Sequence, residues 1–400
     1  MLFVSLLKKK QKVHCCWAAA DVLQLLFMSW MRFLFSIIAI FLTTLLDLCI
    51  AVRLLNTTSG IYEGRTVYFN DIIIHQYLGI EYGRVRQRFE RAEPILRQND
   101  FIINATSFGP LCKPTAGSCE GPVGTFPVTP YCLVNYGIFA VKSIPAEQCL
   151  FLNVFIPVRR RNVRKKAIFM WIHGGSGQVG TGNVFDGTLF AALGDIIVVT
   201  FNFRLNLFGF LSSGDDRLEG NFGLYDQALV LDWIYENADA LGGDIDRITV
   251  GGHSAGAPHA YYLAESPFSK RRIRRIILQS GSPFNIWSHL KARDAMEKFD
   301  VVANDNVCGN WTTFDEKLKC LQTRDFDSIA EHEHHSYTSA NHTNVVAAGN
   351  FMSRFQEEFE KNSTLADMDI LMGAVDDEGK RLSNEISRSC IFLCFDQVFS

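Results

Sequence analysis

Apolar residues in this chain gather in short, continuous runs separated by stretches of helical period. The runs are "AIFMWIH" (167–173), "DIIVVTFNF" (195–203), "DRITVGG" (246–252), "RRIILQS" (274–280) and "DILMGAV" (369–375). Continuous rather than alternating apolar residues predict strands buried on both faces, as in a parallel sheet. Between the runs, "NFGLYDQALVLDWIYENADALGG" (221–243) carries Leu224, Ala228, Leu231, Trp233 and Ile234 at helical spacing. It stops at Gly242-Gly243, a helix-end signal. "SAGAPHAYYLAE" (254–265) predicts another helix, with Pro258 in or near its first turn, where a missing N–H costs little. Strands alternating with helices predict an α/β fold, a mostly parallel central sheet flanked by helices. No repeat or low-complexity linker divides it, so one domain is expected.

Composition supports a large core: 400 residues, 48% hydrophobic and 20% charged. A net charge of −3 gives no electrostatic case for nucleic acid. The basic runs "VRRRNVRKK" (158–166) and "KRRIRR" (270–275) are local and read as solvated loops or helix ends. At the N-terminus, Arg32 precedes an apolar run from Phe33 to Leu46, and small residues follow at Cys49 and Ala51. That is the pattern of a secretory signal peptide, too short for a comfortable membrane span. Residues 1–51 are therefore expected to be an extension plus signal peptide, with translation starting at Met31 or Met28. Secretion fits five N-x-[S/T] sites, at Asn56, Asn104, Asn310, Asn341 and Asn362. Of 11 cysteines, Cys15, Cys16 and Cys49 lie in the leader, leaving an even eight to pair in an oxidising compartment.

The candidate chemistry centres on "GGHSAGA" (251–257). Gly252-His253-Ser254-Ala255-Gly256 fits G-x-S-x-G between a predicted strand and a predicted helix. A turn this tight strains the serine backbone and lifts Oγ above the strand ends, which suits a nucleophile. The competing reading is an ordinary glycine-rich turn. "WIHGGSG" (171–177) also follows a strand. Such a turn can aim backbone N–H groups at a developing oxyanion, together with the Ala255 N–H. His173 reads as a structural residue of that turn rather than a proton-transfer group.

Several segments resemble the type-B carboxylesterases, a family that includes cholinesterases and neuroligin-like adhesion proteins on the α/β-hydrolase fold. They are "YLGIEYG" (77–83), "EQCLFLNVFIP" (147–157), "WIHGG" (171–175), "FNFRLNLFGFL" (201–211), the stretch 220–257 and "RRIILQSGSP" (274–283). The resemblance runs from about Tyr77 to Arg381. It implies Ser254 as nucleophile and Gly175, Ser176 and Ala255 as the oxyanion hole. In "GAVDDEG" (373–379) it implies Glu378 as the triad acid, where the residues alone leave Asp376, Asp377 and Glu378 open. It also implies disulfides Cys112–Cys149 and Cys308–Cys320, with Cys119 and Cys132 as an extra pair. No pairing is assigned to Cys390 and Cys394. The family domain is expected over 52–388, followed by an unmatched tail, 389–400.

The chain departs from the family in four ways. His253 stands where the family usually has glutamate. Ser176 replaces a third glycine, and its side chain restricts the backbone. No tryptophan lies between Cys112 and Cys149 to hold a choline cation by cation–π attraction, which argues against a choline ester. Trp287 matches a family tryptophan near the acyl pocket. The fourth departure is in the mechanism. A serine hydroxyl needs a histidine base, and in this fold the order is serine, acid, histidine. All 10 histidines precede Glu378, and the 22 residues after it hold none. His253, His259 and the polar "EHEHH" (331–335) are weak substitutes, so the chain is expected to be C-terminally incomplete. The leading expectation is a secreted carboxylic-ester hydrolase needing neither cofactor nor metal. The runner-up is a non-catalytic, neuroligin-type binding protein with a protein partner, or an inactive truncated product.

Overall fold

The computed structural model describes residues 31, 53–114, 145–158, 164–269, 271–285, 287–329, 345–346 and 368–376. The leader run, residues 115–144, the histidine-rich run 331–335, Glu378 and the tail lie outside the described residues. By its contacts the chain divides into two units, residues 1–53 and 54–400.

Among the described residues, ten strands form one sheet. They are β1 (Arg53–Asn56), β2 (Ile61–Phe69), β3 (Ile72–Glu81), β4 (Ile102–Asn104), β5 (Phe151–Val158), β6 (Lys166–Ile172), β7 (Ile197–Phe201), β8 (Gly243–His253), β9 (Arg275–Gln279) and β10 (Asp369–Gly373). Their order is β1-β2-β3-β5-β7-β6-β8-β9-β10, with β4 beside β2. Neighbours from β7 through β10 run parallel, whereas β2/β3, β3/β5 and β5/β7 are antiparallel. The apolar runs read from the sequence are thus the parallel half. The antiparallel half had no comparable signal, because polar residues such as His75, Gln76 and Asn153 sit buried inside its strands. Those groups hydrogen-bond: the Asn153 amide donates to Asn183 and Thr200 and accepts from the Gly79 N–H. The sheet is mixed and mostly parallel where the sequence runs are continuous.

Helices α1 (Thr188–Gly194), α2 (Asn206–Phe210), α3 (Phe222–Leu241), α4 (Gly256–Glu265), α5 (Ala292–Ala303) and α6 (Phe314–Thr323) pack on this frame. Successive strand residues face opposite sides. Ile168, Met170 and Ile172 of β6 therefore join α3 and α4 in the main core. Phe169, between them, joins Ala191 and Ala192 of α1 in another cluster. α3 is buried on nearly every side, and Gly242 closes it in the left-handed region at φ +73°. At the far edge Ile370, Leu371 and Met372 of β10 are exposed. The basic runs emerge where strands begin. Lys165, Lys166, Arg272, Arg274 and Arg275 there pair with Asp239, Asp195, Asp232, Asp246 and Asp369.

Two disulfides close loops: Cys112–Cys149 and Cys308–Cys320. Asn56, Asn104 and Asn310 are exposed. Asn341 and Asn362 lie outside the described residues, as do Cys119, Cys132, Cys390 and Cys394.

Among the described residues, one ion pair is fully enclosed. Arg204 donates through Nε and Nη2 to the two carboxylate oxygens of Asp226, at 2.8 and 2.7 Å. Their side chains are 5% and 0% exposed. Asp226 also accepts from the Arg204 backbone N–H, and Arg204 reaches the Glu90 carbonyl. This fork ties α3 to the segment between β7 and α2. Removing one partner leaves the other charge buried. Asp226→Ala should therefore cost about 3–5 kcal/mol in chemical denaturation, whereas breaking an exposed pair such as Arg217–Asp215 should cost little.

Candidate active site

The predicted serine turn forms at the end of β8. Ser254 has φ +53°, in the left-handed region that non-glycine residues rarely enter. A residue there cannot continue a helix, so α4 starts at Gly256, two residues later than the sequence pattern predicts. The Ser254 N–H donates to the Gln279 carbonyl of β9 (2.8 Å), and its carbonyl accepts from the Ala257 N–H (3.0 Å). Ser254 is half-buried and His253 exposed.

Close approach explains the flanking glycines. A Cβ on Gly252 would lie 2.0 Å from the Gly256 carbonyl oxygen, and one on Gly256 would lie 2.3 Å from the Ile172 carbonyl oxygen. The second turn comes against the first. A Cβ on Gly174 would fall 2.6 Å from the His253 carbonyl oxygen and 3.0 Å from Ser254 Cβ. Gly175 and Ser176 continue the turn at φ +118° and +57°, so Ser176 adopts the left-handed backbone despite its side chain. Gln178 and Val179 N–H groups close the turn onto the Gly175 carbonyl. Among the described residues, neither the Gly175 nor the Ala255 N–H has an acceptor. Ala255 opens α4, where first-turn N–H groups lack helical partners.

The sheet sets the segment leading to Asp376 in the same row. His253 pairs with Gln279, and Gln279 with Gly373. Two strand spacings of roughly 4.8 Å therefore separate the serine strand from the strand leading to Asp376. Asp376 is exposed, and Glu378 and Asp377 lie outside the described residues. Trp287 is half-buried in the loop after β9, which Tyr262 and Ser288 hydroxyls hold by donating to the Pro283 carbonyl. No group of three or more His, Cys, Asp or Glu among the described residues could hold a metal ion. No helix among them is long and apolar enough to cross a membrane.

Two buried histidines lie beneath the turns. His173 stacks on Phe203 at 4.4 Å between ring centroids, and its Nδ1 donates to the Gly174 carbonyl (2.8 Å). His259, on α4, packs edge-on to Phe203 and beside Phe210, with Nδ1 2.9 Å from Gln227 Nε2. Phe203 and Gln227 carried no signal in the sequence, because one reads as core and the other as a helix polar position. Burial pushes the His173 imidazole down to about 4, against the opposing pull of its bond to Gly174. Burial, then the neighbouring His173, pushes His259 down to about 3.

A carboxylesterase family model matches residues 51–390. The chain belongs to the carboxylesterase family. The fold is accordingly the α/β-hydrolase fold. Mouse neuroligin-3 is 32% identical over 286 residues, covering 65% of this chain and 34% of that protein. Acetylcholinesterase 1 of Caenorhabditis elegans is 36% identical over 195 residues, 47% of this chain and 31% of its own. Dog carboxylesterase 5A is 30% identical over 282 residues, 69% of this chain and 47% of its own. The chain thus spans a third to a half of the length of these relatives.

The buried histidines predict acid lability. Unfolded histidine takes its proton near pH 6.5, whereas His173 and His259 stay neutral in the fold down to about 4 and 3. Between those values the unfolded chain binds more protons, so stability is full above about pH 7 and falls as pH drops towards 4. Each group contributes a slope of about 1.4 kcal/mol per pH unit. Thermal melts from pH 7.5 to 4 should show this decline, and His259→Gln should flatten it.

Proposed function

We propose that this member of the carboxylesterase family is a secreted carboxylic-ester hydrolase with Ser254 as its nucleophile. The supporting observation is the Ser254 backbone, held at φ +53° against the turn of Gly174. Strain of that kind, of the order of 1–3 kcal/mol, persists where the surroundings over-determine it and typically marks a functional site. In this reading Ser254 Oγ attacks the ester carbonyl carbon and the carbonyl oxygen takes the developing charge. The Gly175, Ser176 and Ala255 N–H groups receive that charge, and Glu378 orients a base histidine that residues 379–400 do not supply. The alcohol leaves, and water then hydrolyses the acyl-enzyme. His173 and His259 are set aside as bases, since burial and the hydrogen bonds at Nδ1 remove both from the serine's proton.

A second reading, a binding protein without catalysis, draws on the neuroligin relatives. It assigns the same fold a protein partner in place of an ester. One experiment separates the two. A phosphonofluoridate esterifies an activated serine and needs no deacylation. The tryptic peptide Ile248–Lys270 should gain the adduct mass, and Ser254→Ala should lose it. Labelling that survives Ser254→Ala, or no label over hours on a chain extended through a histidine after Glu378, would overturn the esterase reading.

A further inference from the structure

The mechanism above leaves His173 unused, yet its bond falls on a critical peptide. Its Nδ1 lies 2.8 Å from the Gly174 carbonyl oxygen, which can only accept, so Nδ1 carries the hydrogen. The Gly174 carbonyl shares its peptide unit with the Gly175 N–H. No peptide bond in the described chain is cis. In a trans unit the carbonyl and the N–H point in opposite directions. Fixing one aims the other.

Two independent observations show that the clamp is built rather than incidental. Phe203 holds the imidazole by stacking at 4.4 Å with an interplanar angle of 18°. On the other side, Gly180 leaves room for the bond itself. A Cβ there would sit 2.4 Å from the Gly174 oxygen and 2.5 Å from His173 Nδ1. Nε2 is buried with no partner among the described residues, so the ring's one hydrogen bond there is the one to Gly174. An unpartnered buried nitrogen is a cost, and the packed site tolerates it to keep a donor at Nδ1.

We propose that His173 is a positioning residue whose Nδ1–H clamps the Gly174 carbonyl and so aims the Gly175 N–H into the site beside Ser254. The clamp's catalytic meaning rests on the esterase reading, whereas its geometry does not. A rotated Gly174–Gly175 peptide would withdraw an oxyanion donor, and misplacement by about 1 Å can cost 10²-fold in rate.

Two readouts test it on a chain extended through a histidine after Glu378. His173→Phe keeps an aromatic ring against Phe203 but has no donor. His173→Asn puts an amide nitrogen near the position of Nδ1, and His173→Leu has the same branching without it. The first readout is phosphonofluoridate labelling of Ser254, resolved into initial affinity and maximal rate. The maximal rate should fall about 10–100-fold in His173→Phe and His173→Leu, with affinity unchanged, and recover in His173→Asn. The second is crystal structures of wild type and variants, in which the Gly174–Gly175 peptide should rotate only where the donor is gone. If His173→Phe does not fold, the Asn and Leu pair carries the comparison. Equal rates and an unmoved peptide in the donorless variants would overturn the proposal. A chain extended through a histidine after Glu378 that still takes no label would overturn the esterase reading instead, and the crystal structures would decide the clamp by themselves.

Discussion

The backbone of Ser254 is the constraint around which the rest is arranged. A left-handed φ on a residue with a side chain is uphill, and nothing local to "HSAG" makes it favourable. It is held from three sides. β9 takes the Ser254 N–H, α4 takes its carbonyl through Ala257, and the Gly174 turn closes from β6. Each needs strands in register to the residue: Ile172 opposite Gly252, and His253 opposite Gln279. A slip of one residue would turn every side chain to the wrong face. The continuous apolar runs that fill both faces therefore also fix the serine's conformation.

A second layer of order comes from buried polar groups. The Asn202 amide accepts from Thr181 Oγ1 and the Gly182 N–H and donates to the Pro110 carbonyl. The Asn206 amide donates to the Lys113 carbonyl. The Tyr82 hydroxyl donates to the Asn202 carbonyl, and burial raises it well above the usual phenol range. These bonds tie the segment after the Gly174–Gly180 turn to the segment carrying Cys112. With the Arg204–Asp226 fork, they do for the loops what register does for the strands. A buried polar network specifies one arrangement because its alternatives leave polar groups unsatisfied.

What was legible in the sequence divides along the same physical line. Runs such as "AIFMWIH" and "DIIVVTFNF" gave strands to within two residues, because burial on both faces forces apolar residues at every position. The serine turn was legible because close approach demands Gly252 and Gly256. The antiparallel half was hidden, since its strands bury polar groups whose partners are far away in sequence. Gln76 donates to Thr188, 112 residues on. Gly180 was invisible for a related reason: its role depends on the Gly174 oxygen and an imidazole six and seven residues back, brought near by a turn with no period. His259 could be placed on a helix, but not in the core beside Phe203 and Phe210.

The paired histidines show why residue type is a poor guide to role. A general base works best with a pKa near the operating pH and with access to the proton it removes. His173 has neither: burial holds it near 4, and its hydrogen-bonding nitrogen faces a carbonyl. The same burial suits a fixed donor. An imidazole that never charges between pH 5 and 9 keeps one tautomer, selected by a carbonyl that can only accept. Phe203, stacked on the ring, holds it from turning away. The features that disqualify His173 from moving a proton are those that let it hold a peptide still.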